Sequence, residues 1–157
     1  MNFISKLITK HPSIDIILER DSENNENPTQ QTKDQNGNLI ETPVYNDWEP
    51  VGGKVIVDLK RIKNFQHQGI KIELIGIIED QRKGQSKFIS LCNDLDSSNE
   101  LFNEITQYEF EFNNLEKPYD SFTGAFINLK YYLKATIQTG YKAIECEKEI
   151  IVQKTWI

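Results

Sequence analysis

Imidazole and thiol are the groups with which this chain could run acyl or phosphoryl chemistry near neutral pH, and it holds two of each: His11, His67, Cys92 and Cys146. A working nucleophile needs a base within hydrogen-bond reach and a third group that orients the base. Cys92 with His67 is the pairing a fold would have to create, and no orienting residue stands out for it. His11 precedes Pro12 near the terminus, and His67 stands directly before a strand pattern in HQGIKIELIG, residues 67 to 76, where a structural role is expected. Two histidines and two cysteines without close spacing make no zinc site. In NDLDSSNE, Asp94, Asp96 and Ser98 alternate as calcium ligands would, but Asn99 stands where that loop requires glycine and Ile105 where it requires glutamate. Dinucleotide and phosphate loops and the Gly-x-Ser-x-Gly elbow are missing. The expectation is no enzyme, no cofactor and no metal.

The elements that would position these groups read as strands. Ile14, Ile16 and Leu18 alternate with Asp15 and Glu19 in a first strand. Residues 21–38, DSENNENPTQQTKDQNGN, lack an apolar anchor and end in Asn-Gly turn chemistry, which predicts a flexible loop. LIETPVYNDWEPVGGKVIVDLKRIK supplies a second and third strand, HQGIKIELIGIIED the next, and QRKGQS a hairpin turn into KFISLC. Between 93 and 106 the pattern weakens, and Ser97 or Ser98 is a candidate cap for one helical turn carrying Leu101, Phe102 and Ile105. Alternation returns in YEFEFNN, in the long run AFINLKYYLKATIQT after the turn LEKPYDSFTG, and in YKAIECEKEIIVQKTWI. About eight strands without a long helix predict an all-β antiparallel sandwich.

Composition sets the class of partner. The 157 residues are 38% hydrophobic and 27% charged, enough for one globular domain over 1–157. A net charge of −6 opposes a general grip on phosphate, so neither nucleic acid nor a direct membrane partner is expected and membrane association is indirect at most. The basic cluster Lys60, Arg61 and Lys63 reads as a charged strand end facing water. No run approaches the roughly 20 apolar residues of a membrane-spanning helix, the start MNFISKLITKHPSID lacks the apolar centre of a secretory signal, and the cysteines are expected as free thiols in a cytoplasmic protein.

The order of particular residues says more. VGGKVIVDL, HQGIKIELIG, YEFEF, EKPYDSFTGAFINLKYYLKATI and EKEIIVQ together resemble the amino-terminal half of the vacuolar protein sorting 26 family, the arrestin-like subunit of retromer, from about Ile14 to Val152. His67, Gln68, Gly69, Glu116, Lys117, Pro118, Tyr119 and Gly124 carry the resemblance most specifically. It implies an arrestin-like (immunoglobulin-like) β-sandwich without enzymatic activity, a scaffold in endosomal vesicle trafficking and recycling of membrane-protein cargo. Its partners would be other retromer subunits and sorting nexins, and its place cytoplasmic, peripheral to endosomes.

The same residues have an architectural reading. His67 and Gln68 would bond backbone groups where the chain joins the sheet, and Gly69 would permit a bulge. Pro118 would fix a turn, Tyr119 would bury its ring, and Gly124 would allow a bend. Two departures stand out. Trp48 occupies a place where the family usually has glycine, and the family's second sandwich is absent from a chain ending at Ile157. A structural subunit of another assembly, or an arrestin-like cargo adaptor unrelated to retromer, is the alternative.

Overall fold

Period-two alternation of apolar and polar residues builds every long element. In the computed structural model, which describes residues 11–22, 27–34, 36–113 and 117–154, these are β1 (Ser13–Leu18), β2 (Thr29–Lys33), β3 (Leu39–Tyr45), β4 (Val51–Asp58), β5 (Phe65–Asp80), β6 (Gly84–Leu101), β7 (Ile105–Phe112), β8 (Phe122–Thr123), β9 (Ile127–Gln138) and β10 (Ala143–Val152). Among the described residues ten strands therefore replace the roughly eight expected. A three-stranded sheet, β1-β4-β7, faces a seven-stranded sheet, β2-β3-β10-β9-β5-β6, in which β8 pairs with β9. The pairings are antiparallel except for a short parallel junction of β10 with β3, Ile151 to Val44 and Val152 to Tyr45, which amends the purely antiparallel expectation.

Inward residues of the two sheets form two buried clusters, bridged by the half-buried Ile14, Leu95 and Tyr108. Ile16, Val55 and Phe110 of the small sheet meet Ile72, Leu74, Leu133 and Ile150 of the large one, while Val57, Leu59, Ile70 and Ile137 close one end. The opposite face of the large sheet is charged, with Lys71–Glu73, Lys130–Glu79 and Lys134–Glu145 as ion pairs.

Two expectations give way. The predicted loop 21–38 begins in a 3-10 turn, Glu19–Ser22, and contains β2, whose backbone pairs with β3 from Thr29–Pro43 to Lys33–Leu39. Backbone pairing needs no apolar residue, and Thr32 and Thr42 add a hydroxyl contact across it at 2.5 Å. The Asn-Gly chemistry is used as expected, with Gly37 at φ 82° closing this hairpin. The predicted helical turn near Ser97 is strand instead: β6 continues to Leu101, opposite Phe65. Its polar pattern is that of an edge strand with one neighbour, broken where Leu95 is an extra residue against the Ile70–Lys71 step.

Candidate functional site

The family-motif residues fall into two groups at opposite ends of the sandwich. Gly69 pairs with Gln138 and Tyr119 bonds Tyr131, seven positions apart on β9, or roughly 20 Å at the rise of a strand. They are not one site.

At one end Lys117 is buried, with 1% of its surface exposed. Its ammonium donates to the carbonyl oxygens of Asn46 at 2.9 Å, Asp47 at 3.2 Å and Glu49 at 2.7 Å, and its backbone N–H donates to Asp47 O. Burial pulls its pKa down to about 8 against the partial support of the Glu49 and Asp47 charges. A second cation holds the same turn from the other side: Arg20 donates to Val44 O, stacks 4.4 Å over the Tyr45 ring and lies 3.9 Å from Glu49. The turn presents Trp48 with 60% exposure and without a positive φ, so this backbone accommodates the departure from glycine.

The residues after Lys117 are fixed by backbone bonds rather than by a buried Tyr119. That ring is 47% exposed, which overturns the expectation, although it meets Phe88 edge-on at 5.1 Å. The bonded hydroxyl belongs to Tyr131, which donates to Tyr119 O at 2.6 Å and accepts from Tyr119 N–H at 3.1 Å. Burial raises the Tyr131 pKa to about 12. Pro118 offers its carbonyl to Lys154, and Gly124 leaves room for the Phe122 ring, which lies 2.6 Å from where a Cβ would sit. Glu116 lies outside the described residues.

At the other end His67 is buried, and neither ring nitrogen has a hydrogen-bond partner among the described residues. The Asp96 carboxylate is 3.4 Å from Nε2, and the expected side-chain bond to backbone is not made; instead Ser98 donates to the His67 carbonyl. Asp96 spends its oxygen on the Tyr108 hydroxyl at 2.8 Å, tying β6 to β7, and burial with this bond raises the Tyr108 pKa. Gln68 is exposed, with its amide beside Gly140. Gly69 takes φ 153°, which a side chain resists, one residue before the bulge.

No reaction centre arises from these parts. Cys92 stands opposite Glu73 and His67 opposite Asn99, six positions apart along β5 and roughly 20 Å. The Cys92 thiol is pushed up by burial and by the Asp94 and Glu73 charges, away from the reactive thiolate. Both cysteines are free. Among the described residues no three His, Cys, Asp or Glu side chains group as metal ligands, and no helix is long and apolar enough to cross a membrane.

Residues 10–157 match the family model of vacuolar protein sorting-associated protein 26. The chain belongs to this family. It is 41% identical to vacuolar protein sorting-associated protein 26B of Danio rerio, covering 89% of this chain and 42% of that protein. Against protein 26B of Mus musculus the identity is 38% over 87% of this chain and 40% of the other. Against protein 26 of Caenorhabditis elegans it is 37% over 78% and 35%. The chain thus spans about two fifths of the length of these relatives. Among solved structures, the sporulation control protein Spo0M of Bacillus subtilis superposes with a TM-score of 0.60 at 16% identity, covering 92% of this chain and 50% of that one. This likeness gives the fold, an arrestin-like β-sandwich.

Proposed function

We propose that this chain is a non-catalytic, retromer-type subunit that sorts membrane-protein cargo at endosomes by binding other proteins. The family match over residues 10–157 carries this reading, and the separation of Cys92 from His67 supports its non-enzymatic side. Its partners are other retromer subunits and sorting nexins, and it works in the cytoplasm, peripheral to endosomes. The chain acts as the family's amino-terminal sandwich, one domain over 1–157.

An extended cargo segment would add to an exposed sheet edge, main chain to main chain. β2 and β6 border the large sheet. β6 carries two register shifts, which discourage strand addition, whereas β2 pairs with β3 without a shift and is the better edge. The test is affinity capture on the tagged chain from a eukaryotic lysate, read by mass spectrometry. Recovery of retromer or sorting-nexin subunits is expected, and their consistent absence would overturn the assignment.

A further inference from the structure

The end of the sandwich that holds His67 also gathers three loop tips. β4 ends at Asp58 opposite both Ser13 of β1 and Ile105 of β7, and Phe65 of β5 stands opposite Leu101 of β6. The 59–64 loop therefore lies against the 102–104 loop, bonded through Leu59 N–H to Glu104 O. A shallow groove between them is lined by Leu59, Ile62, Leu101 and Phe102 with Arg61 and Lys63. The β9–β10 turn, with Tyr141 and Lys142, closes the same end beside Gln68.

These tips repeat one chemistry. Phe102 and Tyr141 are 82% and 77% exposed, above any other large apolar side chain among the described residues. Each stands among cations: Arg61 and Lys63 share the groove with Phe102, and the Lys142 ammonium lies 5.7 Å from the Tyr141 ring centre. Lys60 is exposed beside them. The 59–64 loop is held in an unfavourable form, with Lys60, Arg61 and Asn64 at φ 53°, 68° and 57°. Such strain persists where the surroundings impose it, and it collects at functional surfaces. Here the acidic neighbours impose it: Asp58 accepts from Lys60 N–H at 2.9 Å and Glu104 from Arg61 N–H at 2.7 Å. The Asp58 and Glu104 carboxylates are thereby turned onto loop backbone, while Lys60, Arg61 and Lys63 are exposed.

We propose that this end is a peripheral contact for an anionic lipid bilayer, with Phe102 and Tyr141 seated in the interfacial layer and Lys60, Arg61, Lys63 and Lys142 among the headgroups. Aromatic rings settle at that depth, and each cation near an anionic surface favours binding by about fivefold. A protein partner would need one desolvated, shape-matched centre. Aromatics carried singly on separate tips, each with its own cation, suit a headgroup layer better. The chain's −6 is a sum over the whole surface. It does not describe how charge is distributed over these tips, where four cations stand beside the two exposed rings.

Co-sedimentation of the full chain with vesicles of equimolar phosphatidylcholine and phosphatidylserine tests this. Binding to these vesicles, weakened by salt and missing on pure phosphatidylcholine, is expected. Replacing Lys60, Arg61 and Lys63 together by Gln lowers the partition coefficient by roughly a hundredfold, and Phe102→Ser lowers it severalfold. Phe126→Ser, at the opposite end, leaves it unchanged; both exposed substitutions preserve the fold, checked by circular dichroism. No binding by the wild type, equal binding to both vesicle types, insensitivity to the Gln substitutions, or loss with Phe126→Ser instead of Phe102→Ser would each overturn the proposal. Retention on polyglutamate without vesicle binding would overturn it in favour of an acidic protein surface.

Discussion

Lys117 and His67 are both buried ionisable residues in specific family motifs, yet their surroundings differ. The Lys117 ammonium has three carbonyl oxygens within 3.2 Å, whereas among the described residues the His67 ring has no hydrogen bond and a carboxylate at 3.4 Å. A buried charge persists only where the polar atoms around it replace water. The Lys117 end is therefore a polar clip joining residues 117–121 to the Asn46–Glu49 turn. The His67 end is a packing position whose polar work falls to its neighbours Asp96 and Tyr108. Equal prominence in sequence hides unequal roles.

Substitutions widen or erase the contrast. Lys117→Met keeps the volume but strips three carbonyls of their donor, and it should cost about 3 kcal/mol in urea unfolding. The pKa of Lys117 adds a pH signature. Its folded value, about 8, lies below the ordinary 10.5, so between these limits the unfolded chain holds more protons and stability rises with pH. The gap between wild type and Lys117→Met should widen over that window, on the order of 1 kcal/mol per pH unit, with an unchanged gap refuting the lowered pKa of the buried amine. The buried tyrosines act oppositely above pH 10, since Tyr131 keeps its proton to about 12 when folded, and both proteins share that loss. Tyr131→Phe comes next, at about 1–2 kcal/mol, because it frees the Tyr119 N–H and carbonyl. Gly69→Ala, forced to hold φ 153°, should cost about 1–2 kcal/mol. His67→Leu should cost less than about 1 kcal/mol, since no hydrogen bond is lost; a loss as large as that of Lys117→Met would erase the contrast.

The inner faces were legible because the sandwich buries one side of each long strand: Ile70, Ile72 and Leu74 point inward as their spacing predicts. The edges were not. TQQTK in β2 and NDLDSSNE in β6 pair through backbone atoms, which leave no hydrophobic period to read, so one passed for a loop and the other for a helical turn. The clip was hidden for a related reason. Lysine is the residue type least expected inside, and its three acceptors are carbonyls some 70 positions upstream that carry no side-chain signature. Only the motif Lys117-Pro118-Tyr119 pointed there. The partnership of Asp96 with Tyr108 crosses from one sheet to the other, and no local spacing encodes it. Phe102, which the sequence pattern places on a helical face, stands exposed because β6 runs on to Leu101.

We propose that Lys117 and the residues after it fix one end of the scaffold through hydrogen bonds to backbone, while His67 only packs at the other. Amide hydrogen exchange on wild type, Lys117→Met and His67→Leu tests this most directly. The account predicts that Lys117→Met speeds exchange at Asn46–Glu49 and at residues 117–121 while the β5–β6 amides near His67 keep their protection, and that His67→Leu changes neither region. Unaltered protection of the Asn46–Glu49 turn in Lys117→Met, or loss of protection there in His67→Leu, would contradict it.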